Sequence, residues 1–233
     1  MGGIGHVVAT GAVLAGTFFA ASEPKVSLAA VLPDSLIARV YDNAGILAGD
    51  RARAISRARE ILTRADLDIE FRDCPARSAK ASAVCTVPPA TGELIVRLAR
   101  APNRSGATSG NDSLESTRAL GSSLIDKSAG TGTLATVFVD RIEVMADRGR
   151  ADRWALVGRV MAHEIGHLLL GTNAHSPTGL MREIWTLAEL TRNRAQDWTF
   201  SGPQRETLRE ARLLGRRVTT ATARGDNASA AGG

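Results

Sequence analysis

The chain has 233 residues, of which 44% are hydrophobic and 23% are charged. This length is sufficient for one domain with a full hydrophobic core, and the composition excludes a disordered chain or a coiled coil. The net charge is +5, but basic and acidic residues alternate near the C-terminus without any nucleic-acid motif, which predicts a solvated helix face and no nucleic-acid partner.

The first 22 residues contain no Asp, Glu, Lys or Arg, and their apolar run from Val7 to Ala21 ends at polar Ser22. This pattern predicts a signal peptide over residues 1–22 and a secreted or periplasmic protein. An uncleaved membrane anchor is the alternative, although the run is short for crossing about 30 Å of hydrocarbon. No later segment is apolar enough to span a membrane, so we expect no stable membrane insertion after cleavage.

The chain has two cysteines, Cys74 and Cys85. Two cysteines close together in an exported protein predict a disulfide. Closing so short a loop stabilises the fold by roughly 3 kcal/mol in the chain-entropy model.

The first half of the mature chain alternates strands with one helix. The hydrophobic patterns predict a strand over Leu36–Asp42, a helix capped by Asp50 and ending near Arg64, a strand over Leu67–Phe71 and a third strand over Glu93–Leu98. Loops are expected over residues 73–89, where the disulfide lies, and over the Ser- and Gly-rich residues 101–113.

The second half contains a strand pair and two helices. Ala119–Ile125 and Leu134–Val139 flank a glycine-containing turn and predict a hairpin or two adjacent strands. Asp152–Leu170 is apolar on nearly every side, which predicts a buried helix that ends at Gly171. A last helix is expected from about Pro203 to Arg217, and a disordered tail over 218–233, which leaves a single domain at 23–217.

The buried helix carries the motif His163-Glu164-Ile165-Gly166-His167. Residues four apart lie on one helix face, so His163 and His167 can bind the same zinc ion at about 2.0–2.1 Å. Glu164, displaced by one position, can act as a base toward an activated water. Burying these polar groups on an apolar helix without such a partner costs several kcal/mol.

A catalytic zinc site needs a third protein ligand. His175 is the preferred candidate because it lies just beyond the turn expected at Gly171. Every histidine of the chain except His6 falls between His163 and His175. Glu189 is the second candidate for the third ligand, and Glu183 is weaker.

The segment from His163 to His175 resembles the extended motif H-E-x-x-H-x-x-G-x-x-H of the metzincins, a branch of the zincin metallopeptidases. Its glycine falls one residue late and its third histidine two residues late. Met181 resembles the methionine that underlies the metal in that family, although a core methionine is the alternative interpretation.

The resemblance implies an α+β, zincin-like fold. In that fold a mixed twisted sheet is backed by a helix, here Asp50–Arg64, and is followed by the buried metal helix and a C-terminal helix. It also implies that Leu134–Val139 is the edge strand, which could pair with an extended peptide substrate.

The function that this resemblance implies is a secreted zinc metallopeptidase that acts as a monomer on peptides or proteins. Glu164 would be its base, and zinc with backbone groups would stabilise the oxyanion, because the one tyrosine, Tyr41, lies far upstream. The alternatives are a zinc amidase acting on cell-wall material and a non-catalytic module stabilised by zinc, which would need no base beside its ligands.

Overall fold

The computed structural model describes residues 36–75, 83–90, 92–102, 119–126 and 131–213. The predicted signal peptide (1–22), the predicted disordered tail (218–233) and nearly all of the predicted loop 101–113 lie outside these ranges. No helix within the described ranges has the length and hydrophobicity needed to cross a membrane.

The described residues form five strands and several helices. The strands are β1 (Leu36–Asp42), β2 (Ile69–Pro75), β3 (Leu94–Ala99), β4 (Gly121–Asp126) and β5 (Thr131–Phe138). The helices are α1 (Ala48–Thr63), α2 (Ala83–Thr86), α3 (Val139–Gly149), α4 (Arg153–Leu170), α5 (Leu187–Arg192) and α6 (202–213), with a 3₁₀ turn at Ala195–Trp198.

The five strands form one mixed sheet in the order β2-β1-β3-β5-β4. The first four strands in this order are parallel, and β4 runs antiparallel to β5. The prediction of an α+β fold with a mixed sheet is confirmed. The prediction that Leu134–Val139 forms the edge was wrong, because β3 pairs with one side of β5 and β4 pairs with the other. Among the described strands, the edge of the sheet at this end is β4.

Helix α4 is the centre of the core, as its apolar sequence predicts. It is buried continuously from Leu156 to Leu169 and packs on β4 and β5 on one side and on α1 on another. Gly158 permits the close crossing with α1, because a Cβ atom at this position would lie 2.4 Å from the carbonyl oxygen of Ala54. The site-bearing helix is thus fixed between the sheet and α1.

The start of α1 differs from the prediction. The helix begins at Ala48 with Leu47 as its N-cap residue, and Asp50 lies in the first turn, where it pairs with Arg53. The reason lies upstream, where the Asp42 carboxylate accepts hydrogen bonds from three successive loop N–H groups and tightens the connection. Asp50 is therefore not the cap.

Helix α3 was not predicted, although its sequence carries a helical pattern. Its buried residues, Val139, Ile142, Ala146 and Gly149, recur every three or four positions. It follows β5 without a loop, so the strand pattern and the helix pattern overlap at Val139. The helix predicted at Pro203–Arg217 is present as α6 and is described to residue 213.

A disulfide joins Cys74 in β2 to Cys85 in α2. The segment predicted as a loop over 73–89 is thus partly regular, because β2 continues to Pro75 and α2 follows. Cys74 is buried at the end of β2, so the crosslink fastens the connection to the sheet.

Replacing both cysteines by serine is expected to lower the free energy of unfolding by about 3 kcal/mol, because the unfolded chain then regains the entropy of an open loop. Urea denaturation at neutral pH measures this loss. The native protein unfolded in the presence of a reductant is the control and should match the double variant. A double variant as stable as the oxidised native protein would contradict the prediction.

Candidate metal centre

Helix α4 presents His163, Glu164 and His167. The helix begins at Asp152, whose side chain accepts a hydrogen bond from the N–H of Ala155, and ends at Gly171 in the left-handed conformation with φ 62°. The regular geometry of the helix places the imidazole rings of His163 and His167 side by side. Their centroids are 4.7 Å apart, and their Nε2 atoms are 3.0 Å apart. The helix alone therefore supplies two converging nitrogen donors.

The segment that follows Gly171 brings His175 back to this pair. The ring centroid of His175 lies 5.4 Å from that of His163 and 4.9 Å from that of His167. One potential ligand atom of each histidine lies within 4.8 Å of those of the other two. Among the described residues, these three side chains form a group placed to share a metal ion.

Two backbone carbonyls fix the tautomers of the helix histidines. Nδ1 of His163 lies 2.8 Å from the Leu180 oxygen, and Nδ1 of His167 lies 2.8 Å from the Thr172 oxygen. A carbonyl oxygen only accepts, so each Nδ1 must donate its proton, and each Nε2 is then an unprotonated acceptor. Two acceptors that face each other at 3.0 Å repel unless a cation lies between them. This donor set therefore fits a metal ion, and carbonyl-bound Nδ1 atoms are the usual outer contacts of metal-binding histidines.

Burial keeps both helix histidines neutral. It lowers the pKa of His163 to about 3, with a further contribution from the charge of His167. It lowers the pKa of His167 to about 4, against the opposing hydrogen bond to Thr172. Both rings are thus free to bind a cation at neutral pH, and neutral imidazoles are ligands that suit zinc.

Glu164 lies beside this histidine group and is 5% exposed. Burial raises the pKa of its carboxyl to about 7, against a hydrogen bond from Ser123 that favours the charged form. The Ser123 hydroxyl donates to Oε2 over 2.7 Å. A carboxyl with a pKa near neutrality can both accept and return a proton at physiological pH.

Met181 lies directly against the metal-site helix. It is fully buried, and a Cβ atom added to Gly166 would lie 2.7 Å from its sulfur. Met181 therefore packs against α4 at Gly166, the residue before His167. Trp185, which the sequence did not single out, contacts His163 edge-on with the ring centroids 5.6 Å apart.

The two carboxylates considered as third ligands lie elsewhere. Glu189 forms a capping box with Thr186 at the start of α5 and an ion pair with Arg182. Glu183 is exposed and lies outside the histidine group. Tyr41 lies in β1, which β3 and β5 separate from β4.

Several functional contacts were missed by sequence reasoning. Ser123 and Gly121 on β4 contact Glu164, and the carbonyls of Thr172 and Leu180 orient the histidines. A serine at an inward strand position is a weak signal that a polar partner lies opposite. The carbonyl contacts have no signal in residue type, since every residue has a carbonyl.

The stability of the metal-depleted protein is expected to depend on pH through these groups. The folded His163 and His167 have pKa values below the unfolded value of 6.5, so the unfolded chain binds protons that the folded chain does not, and stability falls as the pH drops below 6.5. Glu164 has the opposite effect on stability, because its pKa in the folded protein lies above the unfolded value of 4.5. Its protonation therefore stabilises the fold as the pH falls from 7 to 4.5. Near pH 5.5 the three groups together give a loss of about 1 kcal/mol per pH unit.

Replacing Glu164 by Gln removes the contribution that opposes the histidines and should roughly double this loss of stability per pH unit. Urea denaturation of both proteins with a chelator present, at several values between pH 5 and 6.5, measures the two slopes. Their difference isolates Glu164 from every other titrating group. Equal slopes would show that the carboxyl is not held protonated by the fold.

Neither a protein-family model nor a curated protein matches this sequence. Among solved structures, the chain is similar to archaemetzincin from Methanopyrus kandleri, with 15% sequence identity and a TM-score of 0.48. The similarity covers 76% of this chain and 96% of that chain.

Proposed function

We propose that this chain is a secreted zinc-dependent metallopeptidase. One observation carries the proposal: the unprotonated Nε2 atoms of His163 and His167 face each other at 3.0 Å, with His175 beside them and a buried carboxyl adjacent. A site that only stabilises a fold usually closes with four protein ligands. Three histidines and a base are instead the composition of a site that leaves one position for a reactant.

In the proposed site, His163, His167 and His175 hold the metal. A zinc ion bound by three neutral ligands would supply a Lewis acid that polarises a substrate carbonyl and acidifies a water molecule. The carbonyls of Leu180 and Thr172 hold the two helix imidazoles in the tautomer that this requires. Met181 packs against α4, and Trp185 packs against the ring of His163. These contacts restrict the movement of the helix and of that ring.

Glu164 moves the proton. It takes a proton from the water whose oxygen forms the new bond to the substrate carbonyl carbon. It then gives this proton to the amide nitrogen as the carbon–nitrogen bond breaks, so that an acid and an amine leave. A carboxylate beside the metal can make both transfers, first as general base and then as general acid.

The edge strand gives the substrate a place to bind. Strand β4 pairs with β5 on one side and carries Ser123, which contacts Glu164, so the strand runs beside the base. An extended peptide can add to such an edge through main-chain hydrogen bonds. The pairing expected at Leu134–Val139 is therefore proposed for β4 instead. The disulfide is in keeping with an exported protein.

The function is tested with the purified full chain loaded with one equivalent of zinc. Labelled casein and a library of quenched fluorescent peptides are the substrates, and peptidoglycan fragments are assayed in parallel. We expect peptide hydrolysis that a chelator abolishes and added zinc restores. Hydrolysis of the cell-wall fragments alone would instead indicate an amidase. Zinc binding without hydrolysis of either substrate class would contradict the enzymatic function.

A further inference from the structure

The inner face of β4 is unusual for a strand that packs on a helix. Its inward residues are Gly121, Ser123 and Ile125, and the first two lie opposite Glu164. Ile125 lies opposite Leu168, where its side chain fills the space left by Gly132. The strand therefore places apolar Ile125 against the apolar part of α4. Opposite the Glu164 carboxylate it places the Ser123 hydroxyl and Gly121, which has no side chain.

The hydroxyl of Ser123 is placed on Glu164 by the sheet. Ser123 pairs with the fully buried Ala135 of β5, which fixes its height along the helix. Its Oγ lies 2.7 Å from Oε2 and 3.0 Å from the backbone oxygen of Glu164. The shorter distance is that of a well-formed hydrogen bond from a hydroxyl to a carboxyl oxygen.

Gly121 provides the room for the other carboxylate oxygen. A Cβ atom at this position would lie 2.3 Å from Oε1, so any other residue here would force the Glu164 carboxylate to move. Oε1 receives no hydrogen bond from the residues that the structure describes. One oxygen of the carboxylate is thus held by β4, and the other accepts no hydrogen bond within the described part of the chain.

We propose that Ser123 is a positioning residue for the base: its hydroxyl holds Oε2 of Glu164 in one rotamer, in the space that Gly121 leaves, so that Oε1 remains available to the attacking water. This inference rests on the proposed function, since it assigns a role within the same reaction. A glutamate side chain has three rotatable bonds, and a misplacement of about 1 Å in a reacting group can lower the rate about 100-fold.

The test compares three variants of the zinc-loaded full chain on one quenched fluorescent peptide that the native protein cleaves. In Ser123→Ala we expect kcat to fall about 10- to 100-fold, with KM and zinc content unchanged. Ser123→Thr keeps the hydroxyl and should stay within about threefold of native. Ser56→Ala is the matched control, because this serine is exposed on α1, outside the proposed substrate-binding strand, and should have no effect.

A kcat of Ser123→Ala equal to that of Ser56→Ala would overturn the proposal. So would loss of zinc from Ser123→Ala, which would show a structural role. Crystal structures of zinc-loaded native and Ser123→Ala proteins provide a test without turnover. We expect the Glu164 carboxylate to leave its single rotamer in the variant, and an unchanged carboxylate would contradict the role even if kcat fell. Absence of hydrolysis by the native protein would refute the proposed function alone, while the crystal structures would still decide the position of Glu164.

Discussion

Replacing Glu164 by Gln is expected to lower kcat by about 100- to 10,000-fold, the usual contribution of a positioned base, while zinc still binds at one equivalent per chain. Glutamine keeps the size of the side chain and can still accept the Ser123 hydrogen bond through its amide oxygen. It cannot take a proton from water at neutral pH. The loss therefore falls on proton transfer and not on the fold or the metal.

Hydrolysis of the quenched peptide and metal analysis of the same preparation measure the two quantities together. Glu183→Gln is the matched control, because Glu183 is an exposed carboxylate of the segment that follows Met181. We expect this variant to keep native kcat and zinc content. If Glu164→Gln retained native turnover, the proposed reaction would be wrong even though the histidines bind zinc.

Replacing His175 by Ala is expected to weaken zinc binding by at least about 100-fold, more than the loss of an outer contact usually costs. Two helix histidines would remain, and two protein ligands rarely hold a catalytic zinc. His175 is exposed, so its removal costs little folding energy and the loss should appear in metal affinity. Competition with a chromogenic chelator measures the affinity directly.

Tryptophan fluorescence gives a second measure of the same binding, because Trp185 contacts His163. A zinc titration should change the emission of the native protein and leave that of His175→Ala unchanged over the same range. Glu189→Gln is the control for the competing ligand and should bind zinc as the native protein does, since Glu189 is engaged by Arg182 and Thr186. Native affinity in His175→Ala together with loss in Glu189→Gln would reverse the assignment of the third ligand.

The features that depend on local pattern could be predicted from the sequence. Helix α4 was predicted to within one residue, because its apolar run, its start at Asp152 and its stop at Gly171 are all local signals. The bounds of β1 were also predicted correctly. The adjacent pair of β4 and β5 was predicted, but the two strands begin two and three residues away from their predicted starts. The spacing of His163 and His167 on one helix face required only helix geometry.

The features that depend on long-range packing could not be predicted. Which strand forms the edge is decided by whether β3 pairs with β5, and nothing in either strand's own pattern decides this. The role of Ser123 depends on the height at which β4 crosses α4. The start of α1 depends on the side chain of Asp42, which binds the following loop and so shifts the helix start away from Asp50.

The turn between Gly171 and Met181 is attached to the two helix histidines at both of its ends, through Thr172 and Leu180. His175 lies on the stretch between these attachments. We therefore expect a change in the length of this stretch to displace His175 while the helix imidazoles keep their orientation, as long as both attachments persist. Compared with the metzincin motif, one of the two additional residues between His167 and His175 lies in this stretch and the other lies before Gly171. The orientation of the two helix histidines is thus set separately from the position of the third.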